Sequence, residues 1–160
     1  MIKVVPEGEE LELQISQLAS DLAVGPKVYA TTINNDETTI LMDRYDGTLD
    51  QLLYACQDEC CLISGILDRL SHCIRTLHQN GIVHNDFTLD NILFSYTGQI
   101  VVADYGLARF SREDRKRKTD WRLYHRIRTE IDQVQKGKRF SSQEELFRTM
   151  TPSVSLPSAL

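Results

Sequence analysis

Nowhere in the 160 residues does an apolar run approach the roughly 18 positions that a membrane-spanning helix needs. The opening Met-Ile-Lys-Val-Val-Pro-Glu-Gly-Glu-Glu also lacks the apolar centre of a secretory signal, so the expectation is a soluble, cytoplasmic chain with no membrane partner. Cysteine is scarce: Cys56, Cys60, Cys61 and Cys73 form no Cys-x-x-Cys pair. Cys56 and Cys60 are spaced to share a helix face near His72 and His78, which is one way to build a zinc site, but all four sit among Leu and Ile at helical spacing and read as buried free thiols. Four Pro and eight Gly are too few for a collagenous or low-complexity chain, and no internal repeat is present. Hydrophobic residues at 41% and charged residues at 26% give an ordinary globular balance that can bury a core.

The apolar residues are arranged in short, legible periods. Ile2-Lys3-Val4-Val5 reads as a strand closed by Pro6 and Gly8. Leu11, Ile15, Leu18 and Leu22 recur at helical spacing and predict a helix over 9–22, ended by Gly25-Pro26. Stretches 27–33 and 38–43, rich in Thr, Val, Ile and Tyr, flank Asn34-Asn35-Asp36 and predict a hairpin. A short helix is expected from Thr48-Leu49-Asp50, and a longer one in which Leu62, Ile66, Leu70, Ile74 and Leu77 share a face, capped by Asn80-Gly81. A second hairpin is expected over 92–95 and 99–103, turning at Thr97-Gly98, then a helix over 119–135 carrying Leu123, Ile127, Ile131 and Val134. Ser141 and Ser142 with Glu144 and Glu145 suggest a capping box for a last helix, followed by a Pro/Ser-rich tail.

Between these elements lie two polar clusters: His84-x-Asp86 followed by Asn91, and Asp104-Tyr105-Gly106, on either side of the second hairpin. Loop residues aimed by a rigid scaffold are where chemistry concentrates. The order and spacing resemble the catalytic loop and the Asp-Phe-Gly motif of the protein kinases. The resemblance implies phosphoryl transfer: Asp86 orients the acceptor hydroxyl and takes its proton, and Asn91 and Asp104 supply the oxygen ligands that Mg²⁺ prefers, bridging it to ATP. It also implies that Lys3 holds ATP phosphates from the first strand and that Glu12 pairs with it, Glu9 and Glu10 being the alternates. Residues 43–48 then resemble the hinge beside adenine, with Asp43 and Tyr45 as cofactor-binding residues, and Asp120-Trp121 the start of the buried helix whose Asp braces the catalytic loop. The implied class is α+β: a partial small β lobe over 1–45 (lysine strand, one helix, hairpin), a reduced, mainly helical large lobe over 46–148, and a disordered tail over 149–160.

Departures from the family pattern qualify what it implies. No Gly-rich phosphate loop is present, Asn85 replaces the usual Arg, Thr88 stands where serine/threonine kinases carry Lys, and no Ala-Pro-Glu follows the short segment between Asp104 and Asp120. That brevity is similar to small atypical kinases of the Bud32 type and to compact kinases of large DNA viruses, for which a host cytoplasmic or nuclear location would follow. The expected activity is an ATP-dependent serine/threonine-type phosphotransferase using Mg²⁺. The alternatives are a catalytically weak, kinase-like protein that binds and inhibits a partner kinase, resembling a shortened baculovirus homologue, and a Bud32-like ATPase subunit of a larger complex. Residues 109–128 hold nine Lys/Arg against three acids, while the whole chain carries −5. A solvated helix face accounts for that run, and an RNA or an acidic partner is the other expectation for it. Apolar surface uncovered by absent small-lobe strands further predicts an oligomer or a complex.

Overall fold

The computed structural model describes residues 1–5, 10–34, 37–55 and 65–135. The first segment is strand β1 (Ile2–Val5), followed by helix α1 (Glu10–Asp21) and the hairpin of β2 (Val28–Asn34) and β3 (Glu37–Met42). These strands make one antiparallel sheet in the order β1-β3-β2, with Lys3 opposite Ile40 and Ile2 opposite Leu41. Alternation along the strands sends Val5, Ile40 and Met42 to one face, where they pack with Val28 and with Leu13 of α1. The expected spacing of Ile15 and its neighbours produces α1, with Glu10 and Glu12 in the first turn where the helix dipole favours acids. Its end is a tight wrap in which Val24 and Gly25 both donate N–H to the Ala19 carbonyl at 3.0 Å. Gly25 is required there, because a Cβ would stand 2.9 Å from the Ala19 methyl and 3.1 Å from the Tyr105 hydroxyl.

The chain then crosses to the large lobe through 43–46 and forms β4 (Gly47–Thr48) and α2 (Leu49–Ala55). Thr48 and Gln51 cap that helix reciprocally, side chain to backbone in both directions. Helix α3 (Ile66–Gln79) buries Ile66, Leu70, Cys73, Ile74 and Leu77 and stops at Asn80-Gly81, Gly81 taking φ +74°. Strand β5 (Ile82–Val83) leads into the polar loop, β6 (Ile92–Phe94) and β7 (Ile100–Val102) form the second hairpin, and β8 (Arg109–Phe110) returns to pair with β5. Helix α4 (Asp114–Gln135) closes the core with Tyr124, Ile127 and Ile131. A backbone bond joins the lobes, Val102 N–H to the Val24 carbonyl at 2.8 Å, and Asp46 N–H to the Phe94 carbonyl at 2.9 Å anchors the crossing segment to β6.

Two features differ from the sequence reading, and some expectations lie outside the described residues. Helix α4 begins at Asp114 rather than 119, since Lys and Arg are good helix formers although 114–118 has no apolar period. The two-residue strands β4 and β8 are new, being too short to show alternation. The expected helix and tail beyond 135, together with Cys56, Cys60, Cys61 and Leu62, lie outside the described residues. Cys73 is buried and free, its thiol pushed up to about 11 by burial, and no metal-holding cluster of His, Cys, Asp and Glu occurs among the described residues. No described helix is long and apolar enough to cross a membrane.

Candidate active site

The polar loop after β5 is built on one buried carboxylate. Asp120, in α4 and 1% exposed, accepts the backbone N–H of His84 on Oδ2 at 2.9 Å and that of Asn85 on Oδ1 at 2.9 Å. His78 Nε2 lies 2.8 Å from the same Oδ2. Two charge-assisted bonds to consecutive amides fix the loop's path, including the left-handed backbone of Asn85 at φ +66°. His84 adds a third tie. Its Nε2 donates to the Ala103 carbonyl at 3.0 Å and its Nδ1 accepts the Asp86 N–H at 3.3 Å, an arrangement only the neutral Nε2–H tautomer makes. Burial drives the His84 pKa down, with the Ala103 carbonyl and nearby carboxylates only partly offsetting it.

Asp86 and Asn91 are joined directly. Asn91 Nδ2 donates to the Asp86 carbonyl at 3.0 Å and to Asp86 Oδ2 at 2.9 Å, leaving Asp86 Oδ1 and Asn91 Oδ1 without a described donor. Across the hairpin Asp104 takes φ +60°. Lys3 donates to Asp104 Oδ1 at 2.7 Å and to Glu12 Oε1, so a strand, a helix and a loop meet at one ammonium group. Burial lowers the Lys3 pKa, but hydrogen bonds and charge from Asp104 and Glu12 outweigh it and hold the ammonium above its ordinary value. For Asp104, burial pushes upward and Lys3, with the Gly106 N–H, more than compensates, holding the carboxyl below its ordinary value.

A cavity of about 300 Å³ opens between the lobes at this point. Lys3, Glu12, Asn91 and Asp104 form its polar end, and Pro26, Val28, Met42 and Leu93 its apolar walls. Asp86 does not line it and reaches it through Asn91. The donor set fits a nucleotide phosphate and a hard cation: an ammonium, the Asn91 amide oxygen, and Asp104 Oδ2, which no described donor occupies. The apolar walls suit a flat heterocycle.

Asp43 and Tyr45 are not brought to this cavity. They line a separate one of about 580 Å³ with Lys27, Val28 and Arg69, where the Tyr29 hydroxyl donates to Asp43 Oδ1 at 2.6 Å. Asp43 follows the end of β3, and its N–H donates to the Lys27 carbonyl at 2.9 Å, which ties it beside Lys27 and Tyr29 on that other side. Hydrogen bonding raises the Tyr29 hydroxyl and burial raises that of Tyr45, Asp43 contributing to both. Conversely, Pro26, Val28 and Met42 are not singled out as cleft residues in the sequence reading, although the hairpin strands they start, end or precede pair into the same sheet as the Lys3 strand. The role of His78 beneath the loop had no signal in the sequence, because it depends on α3 and α4 crossing.

Comparison with known proteins gives one consistent result. The model of the protein kinase domain family matches residues 12–130. A serine/threonine-protein kinase of Caenorhabditis elegans, pak-1, is 31% identical over 86 residues, covering 52% of this chain and 15% of that protein. Serine/threonine-protein kinase 1 of the Lymantria dispar nuclear polyhedrosis virus is 41% identical over 49 residues, 31% of this chain and 18% of the viral protein. Among solved structures, the kinase PK-1 of Cydia pomonella granulovirus superposes with a TM-score of 0.70 at 24% identity, covering 93% of this chain and 64% of that one. The chain thus spans less than two thirds of the length of each of these relatives.

Proposed function

We propose that this chain, which belongs to the protein kinase family, is a serine/threonine protein kinase that uses Mg-ATP, with Asp86 as the base. The observation that carries the reading is the convergence of Lys3, Glu12 and Asp104 on one cavity wall, with Asn91 linking that wall to Asp86. When bound, Mg-ATP supplies the phosphoryl group and the cation that neutralises its charge. Lys3 holds the phosphate oxygens, and Glu12 keeps Lys3 in place from a buried position on α1. Asn91 and Asp104 hold the metal through Asn91 Oδ1 and the Asp104 carboxylate. Asp86 aligns a serine or threonine hydroxyl and accepts its proton as that oxygen bonds to phosphorus and the bond to ADP breaks. Little covalent work falls to the protein, so the rate depends on how well these groups are held.

The test is a single-turnover transfer of ³²P from Mg-ATP to a generic protein substrate and to the chain itself, comparing wild type with Asp86→Asn and Asp104→Asn. Transfer by wild type that is lost in both variants, with unchanged melting, supports the proposal. Absence of transfer together with absence of ATP binding overturns it, and the reading as an inhibitor that docks on other kinases then takes precedence. ATP hydrolysis without transfer to protein would instead favour an ATPase subunit of a larger complex.

A further inference from the structure

A third cavity, of about 620 Å³, lies away from Lys3, between the C-terminal end of α3 and the first turns of α4. Arg75 from α3, Arg112 from the segment before α4, and Arg117 and Lys118 from α4 converge on it, and Asp114 is the one carboxylate in its wall. Among the described residues none of these four cations forms an ion pair. Arg112 and Lys118 are exposed. Arg117 donates from one guanidinium nitrogen to the His78 carbonyl at 3.2 Å, yet its Nε is buried without any hydrogen-bond partner. The charge run at 109–128 is therefore not simply spread over a solvated helix. Part of it is gathered with Arg75, remote in sequence, into one concave basic site.

We propose that this cavity binds an acidic peptide segment, rich in Glu and Asp, of a partner protein. Planar guanidinium groups match carboxylates two bonds at a time, and three converge here. The aromatic group in the wall argues against RNA. Arg75 lies over the Trp121 ring at 5.9 Å, and His78 and Tyr124 pack edge-on against it, so the site offers cations without an open ring for stacking bases. The cations also meet in a pocket instead of tracking along a groove as a nucleic-acid backbone requires. This inference stands apart from phosphoryl transfer, because no residue of the Lys3 cavity lines this one.

The experiment uses the full chain and a fluorescein-labelled peptide of alternating Glu and Asp, followed by fluorescence anisotropy at about 0.1 M salt, where long-range charge effects are screened. Arg112→Gln/Lys118→Gln removes two exposed cavity cations that hold nothing else together. Arg122→Gln/Arg128→Gln removes the same charge from α4 outside the cavity. The first pair should weaken binding by about tenfold or more, as expected for losing charge-assisted bonds, and the second by less than about twofold. Arg75→Gln, on the other helix, should weaken binding as well. Equal weakening by both double variants would reduce the effect to net charge and overturn the proposal. So would a uridine oligonucleotide that binds more tightly with the same dependence on Arg112 and Lys118, or displacement of the peptide by Mg-ATP.

Discussion

Asp86 and Asn91 stand on a loop whose backbone is pinned from below by a carboxylate that water does not reach, whereas Lys3 stands in a strand whose neighbours Ile2 and Val4 are 67% and 53% exposed. The floor of the cleft is fixed by the fold: Asp120, His78 and His84 are buried and bonded to backbone or to each other. The wall is fixed by charge, with Lys3 held by Glu12 and Asp104 across the lobe boundary. A site assembled in this way separates two kinds of damage. Loss of floor support should cost stability first and activity as a consequence, while loss of a wall or loop group that meets the reactants should cost activity and leave the fold largely intact.

The largest effect is expected from Asp120→Ala. That change leaves the His84 and Asn85 amides and His78 Nε2 without their shared acceptor in a dry environment, a loss of about 3–5 kcal/mol. For a chain of this size the melting temperature should fall by roughly 10 °C. Melting within about 2 °C of wild type would sink the idea that the loop is braced from α4.

Next comes Asp86→Asn, which should slow single-turnover transfer by about 10²–10⁴-fold, the usual contribution of a positioned base. The amide retains an oxygen for Asn91 Nδ2, so stability should change by less than about 1 kcal/mol. Equal losses of stability and rate would show that the loop carboxylate belongs to the floor. Lys3→Met sharpens the contrast from the other side. It removes the ammonium between Glu12 and Asp104 and should abolish detectable ATP binding, with a smaller loss in denaturant unfolding than Asp120→Ala, because the Lys3 and Asp104 side chains are 31% and 54% exposed and only Glu12 is buried. A loss as large as that of Asp120→Ala would mean that the wall supports the fold as much as the floor does.

How far these regions could be read beforehand follows from the physics of each. Helices α1 and α3 are legible because Ile15 in one and Leu70, Ile74 and Leu77 in the other recur at the helical period and all face the core. The loop residues are legible through chemistry, since Asp86, Asn91 and Asp104 occur at spacings tied to a function. Asp43 and Tyr45 show the limit. They follow β3 directly, and which cavity they line depends on how the chain leaves Met42, which the sequence does not display. The N-terminal end of α4 was hidden for another reason, as Arg115, Lys116 and Lys118 all face solvent and leave no apolar period to detect. The basic cavity needs Arg75 and Arg117 to meet across two helices, which sequence distance conceals.

The smallest effect expected is a pH dependence in which two buried groups oppose each other. His84 is held neutral in the fold, so below its unfolded value of 6.5 the unfolded chain takes up a proton that the native chain refuses. Its contribution to stability is complete above 6.5 and is lost as the pH falls toward the lower native value, at no more than about 1.4 kcal/mol per pH unit. Glu130, on α4 with its Oε2 buried and unbonded, behaves in the opposite sense. Burial raises its pKa from 4.5 to about 7, Arg126 offsetting part of that and Asp50 adding to it, so the native chain holds a proton that the unfolded chain has released. Its contribution is complete below 4.5 and is lost as the pH rises to about 7. Just below pH 6.5 the two slopes oppose each other, and wild-type stability should change less steeply there than in either single variant. Glu130→Gln should uncover the floor's own dependence, a stability that declines on acidification, and His84→Asn should leave the reverse slope. Parallel curves for the two variants would show that neither group titrates as its burial requires.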